Sequence, residues 1–159
     1  MKKLLSLVLS LVLVFALAGC GTEQSATYVL TSTQEGVMTM TDSQTLKAKG
    51  DIVYEMIEVT TFDFSAADEA SKAVYLETFE DEFAEMKEKA PESVTITTSI
   101  ENDVLHVEFT INLEDADLQE LMDGGYLMAA DANSEKAQIV SFTQTCNAFE
   151  ANGYTLQSE

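Results

Sequence analysis

The segment from Val94 to Ile111 constrains the fold most, because it consists of two alternating strands around a two-residue turn, Asn102-Asp103. Asn and Asp accept the left-handed backbone that such a tight turn requires. The turn predicts four cross-strand pairs on one face: Ile100 with Leu105, Thr98 with Val107, Ile96 with Phe109, and Val94 with Ile111. That face is apolar apart from one threonine, whereas the opposite face is largely polar. The sequence therefore predicts an antiparallel hairpin with one buried face.

Three further strands are predicted before this hairpin. The segments Thr27 to Thr33, Val37 to Lys47 and Ile52 to Phe64 are rich in Thr and Val and alternate in part. Lys49-Gly50-Asp51 supplies the turn between the second and the third. These segments predict a β-hairpin preceded by a short strand. The third strand carries apolar residues at both odd and even positions. The pattern therefore does not show which side chains face the core, and it leaves the register open.

A long amphipathic helix is predicted between these strands and the hairpin. Ser65 with Asp68 three residues later fits a capping box, and Pro91 marks the stop. An apolar stripe recurs at spacings of three and four: Ala73, Leu76, Phe79, Phe83, Met86 and Ala90. The solvent side carries a row of like charges: Glu77, Asp81, Glu85 and Glu88. This segment is typical of a helix that packs on one face of a sheet.

The remaining elements are two helices and a closing strand. A short helix is predicted over Asp115 to Met122, followed by a loop with Gly124-Gly125. A final helix is predicted from Ser134 to Ala151, ending before Gly153. Its apolar stripe is Ile139, Phe142, Cys146 and Phe149, and the closing strand is Tyr154 to Gln157. The order of elements predicts an α+β fold, a mainly antiparallel sheet with two amphipathic helices packed on one face.

The N-terminus has the layout of an export signal. Two lysines precede residues 4–17, which are apolar apart from two serines, and this run is shorter than the ~18 to 20 residues of a spanning helix. The ending Leu17-Ala18-Gly19-Cys20 resembles the lipobox of bacterial lipoproteins. In that motif a diacylglycerol is joined to the Cys thiol, and the signal is cut immediately before it. An ordinary secretory signal with an accidental Cys is the alternative.

The lipobox predicts how the chain is divided and where it is located. Residues 1–19 form the signal peptide, residues 20–26 form the lipidated Cys20 and a short tether, and residues 27–159 form one α+β domain. Two acyl chains on Cys20 are sufficient for stable anchoring without a basic patch. We therefore expect an exported protein, held to the membrane by lipid on its extracytoplasmic side.

Composition excludes several classes of function. The chain has 28 Asp and Glu against 8 Lys and Arg, a net charge of −20, so it lacks the basic surface that nucleic acid requires. Removal of residues 1–19 takes away two lysines and no acid, which leaves about −22. With a single His, multi-His zinc sites are excluded.

Chemistry-bearing residues are few, and each has a simpler interpretation. His106 lies beside Ser99 and Glu108 in the predicted hairpin, but no nucleophile elbow or oxyanion loop accompanies it. Cys146 is on an apolar stripe with no cation at helical spacing, which favours a buried and unreactive thiol. The acids of the Glu114-Asp115-Ala116-Asp117 segment do not match an EF-hand loop. We expect no catalytic residues, no metal ligands and no cofactor, so that Cys20, the lipidation site, is the one assigned site residue.

Several features occur together along the chain: the lipobox Cys20, the Lys49-Gly50-Asp51 turn, Lys89-Ala90-Pro91, the strand Val94 to Ile100, Ala116-Asp117-Leu118, and the closing Phe149-Glu150-Ala151-Asn152-Gly153-Tyr154. Together they resemble the YehR-type family of small bacterial lipoproteins, a family of unknown function. The resemblance covers nearly the whole mature chain. It supplies no catalytic or ligand residues.

The sequence thus favours a non-catalytic, lipid-anchored domain that acts through a protein or envelope partner. Capture of a small ligand or a divalent cation by acidic side chains and the Gly124-Gly125 loop is the alternative. A flat exposed apolar patch rimmed by polar residues would favour the protein partner, and a well-formed concave pocket lined by convergent polar groups would favour the ligand.

Overall fold

The computed structural model describes residues 21–127 and 139–157. Its strands are β1 (Glu23–Gln34), β2 (Met38–Lys49), β3 (Ile52–Asp63), β4 (Val94–Glu101), β5 (Val104–Asn112) and β6 (Thr155–Leu156). Its helices are α1 (Glu69–Lys89), α2 (Leu118–Asp123) and α3 (Phe142–Ala151). The strands form one antiparallel sheet in the order β4-β5-β3-β2-β1-β6. The predicted α+β fold is confirmed.

The β4–β5 hairpin forms in the predicted register. Val94 pairs with Ile111, Ile96 with Phe109, Thr98 with Val107 and Ile100 with Leu105. The turn residues Asn102 and Asp103 have φ of 51° and 67°, the left-handed values that a two-residue hairpin requires. Local turn chemistry and alternation were therefore sufficient to predict this register.

The β2–β3 register, which the sequence leaves open, contains a β-bulge. Lys47 pairs with Glu55 and Ala48 with Val53, so Tyr54 is an extra residue on β3. An extra residue reverses the alternation of the strand. Val53, which precedes the bulge, and Met56, which follows it, are therefore both buried on the same face of the sheet. The bulge accounts for the buried Val53, whereas Ile57 and Val59 have the same parity as Val53 but lie on the opposite face of the sheet.

β1 begins earlier than the pattern predicts. Glu23 pairs with Lys49 and Ala26 with Leu46, so the predicted tether of residues 20–26 is partly strand in the structure. Ala26 packs against the core, which draws the chain into the sheet. The part of the chain between Cys20 and the domain is shortened accordingly.

Helix α1 begins at Glu69, not at the predicted Ser65. The N-cap is Asp68, whose carboxylate accepts hydrogen bonds from the backbone N–H groups of Ala70 and Ser71, both at 3.1 Å. A carboxylate also complements the positive end of the helix dipole, which a hydroxyl cannot do. Along the stripe, Phe83 is buried but Ala73 is exposed.

Helix α3 begins at Phe142, not at the predicted Ser134, which lies outside the described residues. Ser141 caps the helix, and Val140 before it is buried in extended backbone whose carbonyl accepts from Val53 N–H. Asp51 in the β2–β3 turn accepts from Ser141 Oγ and Thr143 N–H, each at 2.7 Å. These contacts with Asp51 set the start of α3. A local sequence pattern cannot predict them, because they join two distant parts of the chain.

The last elements match the predictions more closely. Helix α2 occupies Leu118–Asp123 instead of Asp115 to Met122, because the carboxylate of Asp117 caps it. Gly153 follows α3 with φ of 89°, which only glycine adopts readily. Of the predicted loop, residues 128–133 lie outside the described part of the chain.

One face of the sheet packs against the helices and forms the core. Phe83 of α1 contacts Phe62 and Phe109, with ring centroids 6.2 and 6.1 Å apart. On the other side of the core, Phe149 of α3 packs against Tyr28 at 5.5 Å. The described helices include none with the length and apolarity to span a membrane. We call the covered side of the sheet the inner face and the opposite side the outer face.

Candidate functional site

A polar cluster lies inside the core, on the inner face of β2 and β3. It consists of Asp42, Gln44, Glu58, Thr60 and Tyr154, of which the first four are between 1% and 3% exposed. Gln44 Nε2 donates to both oxygens of Asp42, at 3.1 and 3.2 Å, and Tyr154 OH also donates to Asp42. Thr60 Oγ1 lies 3.3 Å from Asp42 Oδ1 and 3.2 Å from Glu58 Oε1. We call this set the buried acid cluster.

The buried acid cluster contains two carboxyl groups and no cationic side chain. Asp42 accepts most of the donors, whereas Glu58 Oε2 and Gln44 Oε1 have no hydrogen-bond partner among the described residues. Unpartnered buried oxygens and unpaired buried charges are both costly. A proton on Glu58 converts one of these acceptors into a donor, and it also removes one of the two charges.

The environment of Glu58 favours that proton. Burial raises its pKa to about 8, and the nearby charge of Asp42 contributes in the same direction. Burial also raises the pKa of Asp42, although hydrogen bonds from Tyr154, Gln44 and Thr60 oppose the rise. Glu58 is therefore the member of the pair that holds a proton near neutral pH. The buried acid cluster is enclosed by the core. It therefore contributes to the stability of the fold, and this contribution changes with the protonation of Glu58.

Sequence reasoning missed this cluster, although the signal was present. Asp42 and Gln44 share the parity of Met38, Met40 and Leu46 along β2, which is the buried parity. Polar residues in phase with an apolar stripe indicate a buried polar site. Tyr154 could not be found this way, because only the tertiary fold brings it to Asp42.

The central part of the outer face on β1, β2 and β3 carries uncharged side chains, and the Lys47–Glu55 ion pair lies at one end of it. Its central members are Thr27, Val29, Thr31, Thr39, Thr41, Ser43, Thr45, Ile57, Val59 and Thr61. The strand pairing joins them in rows, for example Thr31 to Thr41 to Thr61. None of these positions is charged in a chain of net charge −20. We call this surface the threonine face.

Hydrogen bonds between hydroxyl groups order part of the threonine face. Thr27 Oγ1 lies 2.9 Å from Thr45 Oγ1, and Thr31 Oγ1 lies 3.4 Å from Thr41 Oγ1. Cross-strand threonine pairs restrict side-chain rotamers, so less freedom is lost when another surface docks there.

His106 lies on the outer face of β5, where the hairpin register predicts it. Ser99 is its partner on β4, and Glu108 follows two residues along the same strand. A shallow depression of about 430 Å³ surrounds it, lined by Val59, Thr97, Thr98, Ser99, Glu101, His106, Val107 and Glu108. The depression is open and acidic, which suits a cationic side chain.

Two further clefts are present, one at the end of the sheet near the β2–β3 turn and one beside the edge strand β6. One, of about 740 Å³, is lined by Glu23, Lys49, Ile52, Val53, Tyr54, Leu113, Glu114, Asp115, Leu118, Ile139 and Val140. The other, of about 710 Å³, is lined by residues of β1, α3 and β6, with Cys146 among them. In residues 21–127 and 139–157 no group of three or more His, Cys, Asp or Glu side chains is placed to hold a metal ion.

Cys146 is half-buried on α3 instead of fully buried. Burial raises the pKa of its thiol, and the nearby acids Glu150 and Asp51 add to the rise. Since the thiolate is the reactive form, we expect slow labelling of native Cys146 by a thiol reagent at pH 7, with fast labelling after unfolding. Stopped-flow or timed labelling followed by mass spectrometry measures both rates. Fast stoichiometric labelling of the native protein would contradict this assignment.

Cys20, the predicted lipidation site, lies outside the described residues. The structure therefore describes the domain from Gly21 onward, and β1 begins two residues after that. Lipidation of Cys20 stays a prediction.

Comparison with known proteins identifies the fold. No protein-family model matches the chain, and no curated protein matches it. The NMR structure of a protein from Streptococcus pneumoniae TIGR4 is similar, with a TM-score of 0.56 and 17% identity over 91% of this chain and 90% of that one. The NMR structure of the YehR protein of E. coli is also similar, with a TM-score of 0.58 and 19% identity over 84% of this chain and 91% of that one. The chain therefore has a YehR-like fold.

Proposed function

We propose that this protein is a non-catalytic lipoprotein, anchored through a diacylglyceryl Cys20, whose domain binds a protein or envelope partner on the extracytoplasmic side. The observation that carries the binding role is the threonine face, an uncharged surface on an otherwise acidic domain. Mutual repulsion keeps such acidic domains apart, whereas an uncharged face permits close approach of a partner.

The anchor is tested first. In the Cys20→Ser variant we expect an uncleaved precursor and no incorporation of labelled fatty acid, because a hydroxyl cannot form the thioether. Gel mobility and lipid labelling in a bacterial host measure both. Labelling of the variant equal to that of the parent would contradict the lipoprotein assignment.

The binding role is tested in the intact envelope. A photo-crosslinking residue at Thr41, in the centre of the threonine face, should give a defined adduct, and the same residue at Glu77 on the exposed side of α1 should give none. Adding Thr61→Glu beside Thr41 places a charge in the contact and should remove the adduct without changing the melting temperature. Adducts of equal yield from both positions would show that the threonine face is not the contact.

Divalent cation binding is the second candidate, and the observation in its favour is the buried acid cluster with its two unpartnered oxygens. We expect calcium or magnesium to raise the melting temperature no more than a monovalent salt at equal ionic strength, because protonation of Glu58 neutralises one of the cluster's charges. A larger divalent effect that Glu58→Gln removes would place a cation in the cluster. A larger effect that Glu77→Gln/Asp81→Asn/Glu85→Gln removes would place it on α1.

A further inference from the structure

Strand β4 forms one edge of the sheet, and its outer side is unpaired among the described residues. It pairs with β5 over all eight residues without a register shift. A regular strand at an edge presents a row of backbone groups to which another extended segment can bind.

The backbone groups that face outward can be assigned. Asn112 N–H donates to the carbonyl of Ser93, so Ser93 faces β5. Because backbone groups alternate along an antiparallel strand, residues 95, 97 and 99 also face β5. Ile96, Thr98 and Ile100 therefore direct both their N–H and their C=O toward the open edge. These three residues can form a ladder with an added strand.

Nothing in β4 protects this edge. Its sequence, VTITTSIE, contains no Pro and no Lys, its pairing contains no bulge, and its single charge is Glu101 at the end. Helix α1 covers Val94 and Ile96, which are 6% and 2% exposed, but inward-facing Ile100 is 37% exposed. Natural sheets usually protect an edge strand with a Pro, a charged residue such as Lys, a β-bulge or a covering segment. Among the described residues, nothing covers the second half of β4 at its open backbone edge or on either face.

The surroundings of the open edge are acidic. Glu101 ends the strand, and Glu108 lies beside Thr97 on the outer face. Both line the depression around His106, which also includes the apolar side chain of Val59. A long cationic side chain on a strand added beside β4 fits here, because its charge can approach Glu101 on β4 and Glu108 on the next strand, β5. An acidic segment would be repelled.

We propose that β4 binds an extended segment of a partner protein by strand addition, and that this segment alternates β-branched residues with Lys or Arg. The proposal rests on the proposed function and names the partner's form: a basic strand paired with Ile96, Thr98 and Ile100. A second copy of this chain is disfavoured as the occupant, because it would bring another Glu101 and another domain of net charge −20 to the same edge.

The test uses the full-length protein in detergent and a short synthetic peptide of alternating Val and Thr with Lys at both ends. Binding is followed by the amide hydrogen exchange of β4, residue by residue, by NMR. We expect the peptide to slow exchange at Ile96, Thr98 and Ile100, whereas residues 95, 97 and 99 are slow already because they bond to β5. The same peptide with Glu in place of Lys should bind at least about tenfold more weakly.

Two substitutions at one position make the test specific. Thr98→Pro removes an N–H that faces the open edge and leaves the bonds to β5 intact, so the fold should be retained while peptide binding weakens about tenfold or more. Thr98→Val keeps the N–H and should bind as the parent does. The melting temperature of each variant shows whether the domain is intact.

The outcomes separate this proposal from the proposed function. Absence of peptide binding, or binding that Thr98→Pro leaves unchanged, would overturn strand addition, and so would equal binding of the Glu peptide. Slow exchange at Ile96, Thr98 and Ile100 that depends on protein concentration without peptide would overturn it in favour of a second copy. In each case a crosslink from Thr41 that Thr61→Glu removes would leave the proposed function standing.

Discussion

The Glu58→Gln variant is expected to be more stable than the parent protein at pH 8.5 and about equally stable at pH 5. Glutamine keeps the shape of the protonated side chain and supplies an N–H donor for the buried acid cluster. The parent loses this neutral form as pH rises. Urea unfolding at both pH values measures the free energy of unfolding of each protein.

The sign follows from the pKa values of Glu58 in the two states. It is 4.5 when unperturbed and is raised to about 8 in the folded protein, chiefly by burial. Between these values the folded state holds a proton that the unfolded chain releases, so the free energy of unfolding falls as pH rises from 4.5 to 8. One pKa unit corresponds to about 1.4 kcal/mol, so a loss on the order of a few kcal/mol is expected.

The opposite dependence is expected at lower pH. Hydrogen bonds from Ser65 lower the pKa of Asp63, and those from Ser71 lower the pKa of Asp68, so both groups contribute stability that is lost as pH falls through their folded-state pKa values. Stability should therefore be greatest on the mildly acidic side of neutrality.

A matched control separates Glu58 from the general repulsion of an acidic chain. Glu108→Gln also removes one carboxylate, but from the exposed outer face of β5. This variant should keep the parent's dependence on pH between 5 and 8.5. If Glu58→Gln and Glu108→Gln changed the dependence equally, net charge and not the buried acid cluster would be its cause.

The second large effect is expected for Phe83→Ala, which should lower the free energy of unfolding by about 3 to 5 kcal/mol. Phe83 is 4% exposed and contacts the rings of Phe62, Phe79 and Phe109, so truncation leaves a cavity between α1 and the sheet. Chemical denaturation of both proteins at one pH measures the difference.

Two further substitutions test the location of this core. Phe142→Ala at the start of α3 should cost less than Phe83→Ala, because Phe142 is only partly buried. Val74→Ala on α1 should change stability by no more than about 0.5 kcal/mol, because Val74 is 60% exposed. An equal loss for Phe83→Ala and Val74→Ala would show that α1 does not pack as described.

The threonine face was only partly predictable from the sequence. The threonines of β1 and β2 were recognised as strand residues, and the polar face of the β4–β5 hairpin was predicted in its correct register. The sequence did not show that these strands lie in one sheet with their uncharged residues on the same side. That arrangement depends on the order of the strands, which long-range pairing decides.

What the sequence determined by itself is local. The hairpin turn at Asn102-Asp103, the glycine after α3 and the stripe through Phe83 each follow from backbone preferences or from periodicity within a few residues. Where tertiary contacts compete with local signals, the sequence alone did not predict which residues are buried or where an element begins. The bulge at Tyr54 reverses the faces of β3, and Asp51 holds the start of α3 from another part of the chain.

The tertiary structure alone decided two further features, the buried acid cluster and the open edge of β4. The buried acid cluster exists because β2, β3 and the end of the chain meet, which brings Tyr154 to an aspartate 112 residues away in sequence. The open edge exists because β4 is last in the sheet order. Burial and edge position are properties of the packed sheet, since they depend on which segments lie beside a residue in space and not on its neighbours along the chain.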